Sequence, residues 1–140
     1  MGEETLLIVG NGFDLSMGFK TSYGDFMKSS YFPNKETSTL CSYLHKQYEE
    51  NMGWIDIENE LSEYSRILTT KKLNAKKFNT ILDIDSLREE YDELKSSLKV
   101  YLHEVTKRQF CPSQDNPAKM VIDQLPADSK IISFNYTSII

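Results

Sequence analysis

The sequence has few residues of the kinds that build metal, redox and nucleic-acid sites. Its 140 residues include two cysteines and two histidines, and Cys41 and Cys111 match no metal-binding or redox spacing. The net charge of -5 repels nucleic acid and anionic lipid rather than attracting them. We therefore expect no metal centre, no nucleic-acid partner and cysteines in the reduced state.

Long apolar segments are also missing. No apolar run approaches the roughly 20 residues that a transmembrane helix needs. The N-terminal stretch, MGEETLLIVG, is acidic where a secretory signal peptide is basic, and its apolar run is too short for the hydrophobic part of such a peptide. The sequence therefore predicts a cytoplasmic protein that does not enter a membrane.

What the sequence does have is a series of strand and helix patterns. Unbroken apolar runs predict strands, and apolar residues at intervals of three and four predict helices. Ser86 and Glu89 have the spacing of a capping box, and Asn116 before Pro117 is typical of a helix start. The lysine-rich stretch 69–77 is interpreted as a solvated loop. The predicted elements are strands at 5–9 and 130–137 and helices at 38–50, 55–68, 86–109 and 117–125.

The order of these elements predicts an α/β fold with parallel strands and a large helical insertion. The first strand and the glycines after it occupy residues 1–26, the insertion 38–125 and the second strand 130–137. The long helices of the insertion are expected to pack together as a small bundle. Two parallel strands expose two apolar faces and need more structure to cover them. We therefore expect an incomplete N-terminal portion of a longer domain, completed by a missing C-terminal half or by self-association.

Two glycines follow the first strand directly. Gly10 and Gly12 have no side chains to keep a phosphate away from the backbone, and the N–H groups at a helix start favour an anion. The stretch lacks the third glycine of the dinucleotide fingerprint and the lysine of a Walker loop. The pattern alone fits a phosphate-binding loop and a tight turn without a ligand about equally.

Three stretches resemble the signature of the bacterial abortive-infection AbiH family, which is linked to defence against phage. They are GNGFDLSMGFKTSYGDF (10–26), WIDIENEL (54–61) and SFNYT (133–137). They occur in the family's order and extend from the first predicted strand to the last. The resemblance implies a protein of phage defence, although the family name records a phenotype and not a reaction.

A more distant likeness, to sirtuin-like NAD-binding domains, implies a chemistry. The intervals between Gly10, Gly12 and Gly18 are similar to those of the sirtuin glycines, and Asn135 stands where that fold has an asparagine after a later strand. The resemblance implies that the glycines bind the pyrophosphate of NAD or another nucleotide. Asn135 would be catalytic, orienting the ribose and a water for cleavage at C1′. The residues implied to contact the nucleotide are Gly10, Asn11, Gly12, Phe13, Asp14, Gly18, Asn135, Tyr136 and Thr137.

The stretch WIDIENEL offers a second group of candidates. Asp56 and Glu60 are four residues apart, so on a helix they share one face, with Trp54 and Ile57 on another. Such carboxylates can bind a metal or act as acid and base, but more often they form the solvated side of an amphipathic helix. The AbiH resemblance singles out Asp56 and Glu58 without giving them a role.

Two hypotheses for function follow. The first is a nucleotide-handling enzyme of phage defence, which hydrolyses NAD in its full-length form and of which these 140 residues are the nucleotide-binding part. The catalytic histidine of sirtuin-like folds lies downstream of the asparagine motif, so we expect this chain alone to bind nucleotide weakly and not to hydrolyse NAD. The second is a non-catalytic nucleotide sensor or protein-interaction module.

Overall fold

A computed structural model describes residues 4–77, 84–107, 112–135 and 137. It contains two short strands and six helices within these ranges. None of these helices is both long and apolar enough to cross a membrane. In chain order the elements are β1 (Leu6–Val9), α1 (Asn11–Ser16), α2 (Tyr23–Lys28), α3 (Thr39–Glu50), α4 (Ile57–Lys77), α5 (Ile84–Thr106), α6 (Pro117–Asp123) and β2 (Lys130–Ser133).

The two strands pair in parallel, as the sequence predicts. Leu6 lies opposite Lys130 and Val9 opposite Ser133. Hydrogen bonds extend the pairing at both ends, from the Lys130 N–H to the Thr5 carbonyl and from the Phe134 N–H to the Val9 carbonyl, each at 2.9 Å. The described part of the chain is therefore a mixed α/β structure with a small two-stranded parallel sheet. The second strand ends at Ser133, before the predicted 137, and part of that prediction lies outside the described residues.

The chain forms two compact units. The first comprises Met1–Ser22 and Val100–Ile140, and the second comprises Tyr23–Lys99. The first unit contains the sheet, α1, α6 and the end of α5, and its buried residues are Val9, Asp14, Thr21, Tyr101 and Ala118. The second contains α2, α3, α4 and most of α5, and its buried apolar residues are Phe26, Met27, Leu40, Cys41, Leu44, Tyr48, Ile55, Ile57 and Leu94.

Side-chain caps fix two helix starts at the predicted places. Ser38 accepts a hydrogen bond from the Cys41 N–H at 3.1 Å and so begins α3. Asn116 accepts one from the Lys119 N–H at 3.1 Å and begins α6. The Nδ2 of Asn116 also donates to the carbonyl of Ser16 at 2.7 Å. One asparagine therefore joins the start of α6 to the end of α1.

Two local predictions are wrong. Helix α5 already includes Ile84, so Ser86 lies inside it and is not the N-terminal residue of a capping box with Glu89. The predicted loop 69–77 is the last part of α4. That stretch contains no glycine or proline, and its lysine, leucine and alanine residues all have good helix propensity. The predicted end of α5 at residue 109 lies outside the described residues.

The start of α3 depends on a carboxylate from α5. Glu90 Oε2 accepts hydrogen bonds from the Leu40 N–H at 2.7 Å and from the Ser38 hydroxyl at 2.8 Å. Burial raises the pKa of the Glu90 carboxyl, but these hydrogen bonds outweigh that effect and bring the pKa below its ordinary value. The ionised Glu90 therefore fastens α5 to the first turn of α3.

We predict that Glu90→Ala lowers the free energy of unfolding by about 1–3 kcal/mol at about pH 7, because the donors on α3 lose a charged acceptor. A lowered pKa contributes stability above the unfolded value near 4.5, and that contribution is lost as the pH falls through the folded pKa. The difference between the two proteins should therefore shrink in urea denaturation at about pH 3. Glu89→Ala is the control, since Glu89 is exposed, and an equal loss in both variants would contradict the prediction.

Candidate functional site

The glycine loop, residues 10–12, connects β1 directly to α1. The Phe13 N–H donates to the Gly10 carbonyl at 2.8 Å, which closes the first turn of the helix. The Asn11 side chain bonds to Thr21 twice, accepting from its hydroxyl at 2.6 Å and donating to its carbonyl at 3.2 Å. Thr21 is buried. Thr21, which the sequence analysis did not single out, thus fastens the loop through Asn11. The pairing of these two residues depends on the chain turning back after α1, so local sequence does not reveal it.

Neither glycine of the loop is required by the local fold. Gly10 has φ −135° and ψ −174°, an extended conformation that any residue adopts. Apart from its chain neighbours and the nearby backbone of α1, a Cβ atom added at Gly10 or at Gly12 would meet no atom of the described residues within 4 Å. The space beside the loop backbone is therefore open at both positions.

Gly18 has a different role from the glycines of the loop. Its φ of 90° lies in the left-handed region that favours glycine. Its N–H donates to the Leu15 carbonyl, and the next N–H, from Phe19, donates to the Asp14 carbonyl, both at 3.0 Å. These two bonds form the Schellman motif that ends a helix. The fold therefore accounts for Gly18, and its predicted contact with a ligand stays a prediction.

Asp14 lies at the centre of the site. Its side chain is fully buried. Its Oδ1 accepts a hydrogen bond from Asn135 Nδ2 at 2.6 Å, and its Oδ2 accepts one from the Thr137 hydroxyl. Two of the residues implied to contact the nucleotide, Asp14 and Asn135, are therefore in direct contact. The sheet register explains the approach, because β1 and β2 are parallel and the chain leaves both at the same edge.

The environment of Asp14 disfavours its charge. Burial raises the pKa of the carboxyl, and the hydrogen bonds from Thr137 and Asn135 oppose that rise only in part. Within the described residues no cation pairs with this carboxyl. The protein therefore has a buried carboxyl at position 14, although an asparagine there could contact the same neighbours without carrying a charge.

Asn135 has one half of its amide engaged and the other half free. The Nδ2 atom donates to Asp14. The Oδ1 atom is buried and, among the described residues, has no hydrogen-bond partner. Buried polar atoms without partners are rare in folded proteins, and each one calls for an explanation. Here the free atom is a hydrogen-bond acceptor two positions after the end of β2.

The candidates in WIDIENEL have structural roles in the second unit. Asp56 precedes α4 and caps it, accepting from the Asn59 N–H at 3.1 Å. Since Asp56 is not in the helix, the predicted helix face shared with Glu60 is wrong. Trp54 also lies outside the helix and is 69% exposed, so it does not share an apolar face with Ile57. Tyrosine hydroxyls donate to the other two acids, Tyr23 to Glu58 and Tyr43 to Glu60.

Other predicted residues receive less support from the geometry. Phe13 is half-buried beside the loop. Tyr136 lies outside the described residues, as does Cys111. No group of three or more histidine, cysteine, aspartate or glutamate side chains is arranged to bind a metal ion in the part of the chain that the structure describes.

The raised pKa of Asp14 predicts an unusual response to substitution. The pKa of Asp14 is higher in the folded protein than in the unfolded chain, where it is near 3.8. Below that unfolded value Asp14 causes no loss of folding stability, and stability is lost as the pH rises through the folded pKa. Asp14→Asn avoids this loss and can still pair with both neighbours, so it should be at least as stable as the unsubstituted chain at about pH 7, with the gain disappearing near pH 3.

Asp14→Ala is the contrasting variant. It leaves Asn135 and Thr137 without their acceptor and should be less stable by about 1–3 kcal/mol at both pH values. Thermal or urea denaturation measures all three proteins. An Asp14→Asn protein clearly less stable than the unsubstituted chain at about pH 7 would show that the charge itself stabilises the fold.

Comparison with known proteins identifies the chain at the level of its family. Residues 6–140 match the family described as bacteriophage abortive infection AbiH. No curated protein and no solved structure matches the chain significantly. The family match includes both strands, the glycine loop and Asn135. The chain therefore belongs to the bacteriophage abortive infection AbiH family.

Proposed function

We propose that this AbiH protein binds a nucleotide, NAD or a relative of NAD, at the glycine loop and Asn135, and that it acts in phage defence through that nucleotide. Membership of the family supports the role in abortive infection. The contacts of Asp14 support the position of the site, because they join α1, the helix that begins in the glycine loop, to Asn135 and Thr137 after β2.

The observation that carries the proposal is the open space at Gly10 and Gly12. A glycine in a helix is less favourable than alanine by about 0.5–1 kcal/mol. Gly12 is the second residue of α1, and a Cβ atom there would meet no other part of the described chain within 4 Å. A bound phosphate explains the absence of a side chain, because it needs close contact with backbone N–H groups.

The position of the sheet edge agrees with this assignment. In open α/β sheets ligands bind beyond the carboxyl ends of the strands. The glycine loop follows β1, and Asn135 follows β2, at that edge. A dinucleotide with its pyrophosphate at the loop would extend its ribose toward Asn135, as the likeness to sirtuin-like domains implies.

Asp14 does not oppose a pyrophosphate at this loop. Its carboxyl is fully buried and bonded to Asn135 and Thr137. The hydrogen bonds from Asn135 and Thr137 offset part of the negative charge of the carboxylate, and so reduce the repulsion expected between it and a phosphate.

The reaction proposed for the full-length protein is hydrolysis of NAD. The bond between nicotinamide and C1′ of the ribose breaks, water forms the new bond to C1′, and nicotinamide and a proton are released. The developing oxocarbenium-like centre needs positioned polar groups more than a strong base. Asn135 is the residue proposed to orient the ribose and the water.

A nucleotide sensor without catalysis is the second candidate. It is favoured by the engagement of Asp14, the acid nearest to Asn135. Both oxygens of that carboxyl already accept hydrogen bonds, so it is not a free base for water. In this case nucleotide binding would change how the protein contacts a partner.

The direct test places a side chain in the open space. We predict that Gly12→Leu keeps the fold and thermal stability but binds NAD at least about tenfold more weakly in calorimetric titration, because leucine occupies the space proposed for the phosphate. Ser16→Leu is the matched control, since it adds the same side chain at another exposed position of α1. Equal NAD binding by the unsubstituted and Gly12→Leu chains would refute the proposed site.

Nicotinamide release separates the two candidate functions. The full-length protein incubated with NAD should release nicotinamide if it is a hydrolase, and Asn135→Ala should abolish that release without unfolding the protein. Binding of NAD without any release, measured with the phage trigger present, would instead support the sensor.

A further inference from the structure

The free oxygen of the Asn135 amide has its origin in Asp14. An ionised carboxylate accepts hydrogen bonds and donates none. Asn135 therefore turns its Nδ2 toward Oδ1 of Asp14, and the two atoms are 2.6 Å apart. The other polar atom of the amide, Oδ1, is left buried and without a partner among the described residues.

Asp14 is itself fixed from two sides. Its second oxygen accepts from the Thr137 hydroxyl. Its backbone carbonyl accepts from the Phe19 N–H at 3.0 Å, in the motif that ends α1. Its side chain is fully buried. The orientation of the Asn135 amide is consequently set by its hydrogen bond to Asp14.

An unpartnered acceptor defines the chemistry of the group that it can bind. The partner has to be a donor, either a hydroxyl or an N–H group. The oxygens of a pyrophosphate are ionised at neutral pH and only accept hydrogen bonds, so they cannot satisfy Oδ1. In a nucleotide with its phosphates at the glycine loop, the nearest donors along the molecule are the ribose hydroxyls.

We propose that Asp14 is a positioning residue that orients the Asn135 amide so that Oδ1 accepts a hydrogen bond from a ribose hydroxyl of the bound nucleotide. This inference rests on the proposed function and adds a specificity to it. Nucleotides that keep the hydroxyl bind more tightly than analogues that lack it, and this preference depends on Asp14 although Asp14 does not touch the ligand.

The test compares NAD with analogues that each lack one ribose hydroxyl. One hydrogen bond corresponds to about a tenfold difference in dissociation constant. For the unsubstituted chain we expect a difference of this size between NAD and at least one of the analogues. The amide introduced by Asp14→Asn both accepts and donates, so it permits either orientation of Asn135. The ratio of the two constants should therefore fall toward one in Asp14→Asn, and also in Asn135→Ala, which lacks the acceptor.

Asp128→Asn provides the matched control, because it makes the same change at an exposed position of the same unit, and it should keep the tenfold ratio. A ratio that stays unchanged in Asp14→Asn while NAD still binds overturns the inference and leaves the proposed function intact. If NAD does not bind the unsubstituted chain at all, the proposed function is wrong, and so is the ribose partner assigned to Oδ1.

A second measurement tests the orientation without any ligand. The side-chain NH₂ signals of Asn135 in a ¹⁵N-correlated NMR spectrum are identified by their loss in Asn135→Ala. Because Nδ2 donates to Asp14, these signals should shift with pH as Asp14 titrates, and the shift should be missing in Asp14→Asn. NH₂ signals that do not respond to pH in the unsubstituted chain would overturn the positioning role of Asp14.

Discussion

The hydrogen bonds of the Asp14 carboxyl join segments that are more than a hundred residues apart in sequence. They connect α1, near the N-terminus, to Asn135 and Thr137, which follow β2. Burying a carboxyl is unfavourable unless hydrogen bonds replace the lost water. Here the hydrogen bonds replace the lost water only in part, so the pKa of Asp14 stays above its ordinary value. The parallel sheet brings the two segments to the same edge, and this contact joins α1 to Asn135 there.

The described glycines of the first unit divide into two kinds. Gly18 has a positive φ and ends a helix, so the fold itself accounts for it. Gly10 and Gly12 have open space where a side chain would be. Only the second kind leaves space for the phosphate that we propose to bind at the loop backbone. This distinction cannot be made from the spacing of glycines, which treats all three alike.

Local patterns in the sequence predicted much of the fold. Local patterns predict the cap at Asn116 and the positions of the long helices, and the order of the elements predicts the parallel pairing of the two strands. The errors occur where tertiary contacts or propensity decide. The charge of the stretch 69–77 predicts a loop, but the stretch continues α4, and its lysine, leucine and alanine residues favour helix. Asp56 was placed within a helix that it instead begins.

The candidate site was predictable in part for the same reason. The strand order brings Asp14 and Asn135 to one edge, so their approach follows from the parallel sheet. The free Oδ1 of Asn135 and the pairing of Asn11 with Thr21 do not follow from sequence, because each depends on side-chain directions set by the folded chain. The glycine loop alone does not identify the ligand, because a phosphate-binding loop contacts only the phosphate part of a nucleotide.

The most direct test of the central claim is a map of backbone amide shifts in a ¹⁵N-correlated NMR titration with NAD. The account predicts that the largest shifts occur at the glycine loop, at Asp14 and around Asn135. A different cavity, of about 300 Å³ and lined by Leu40, Leu61, Leu87 and their neighbours, lies in the second unit. Shifts concentrated around that cavity, with none at the glycine loop, would contradict the account.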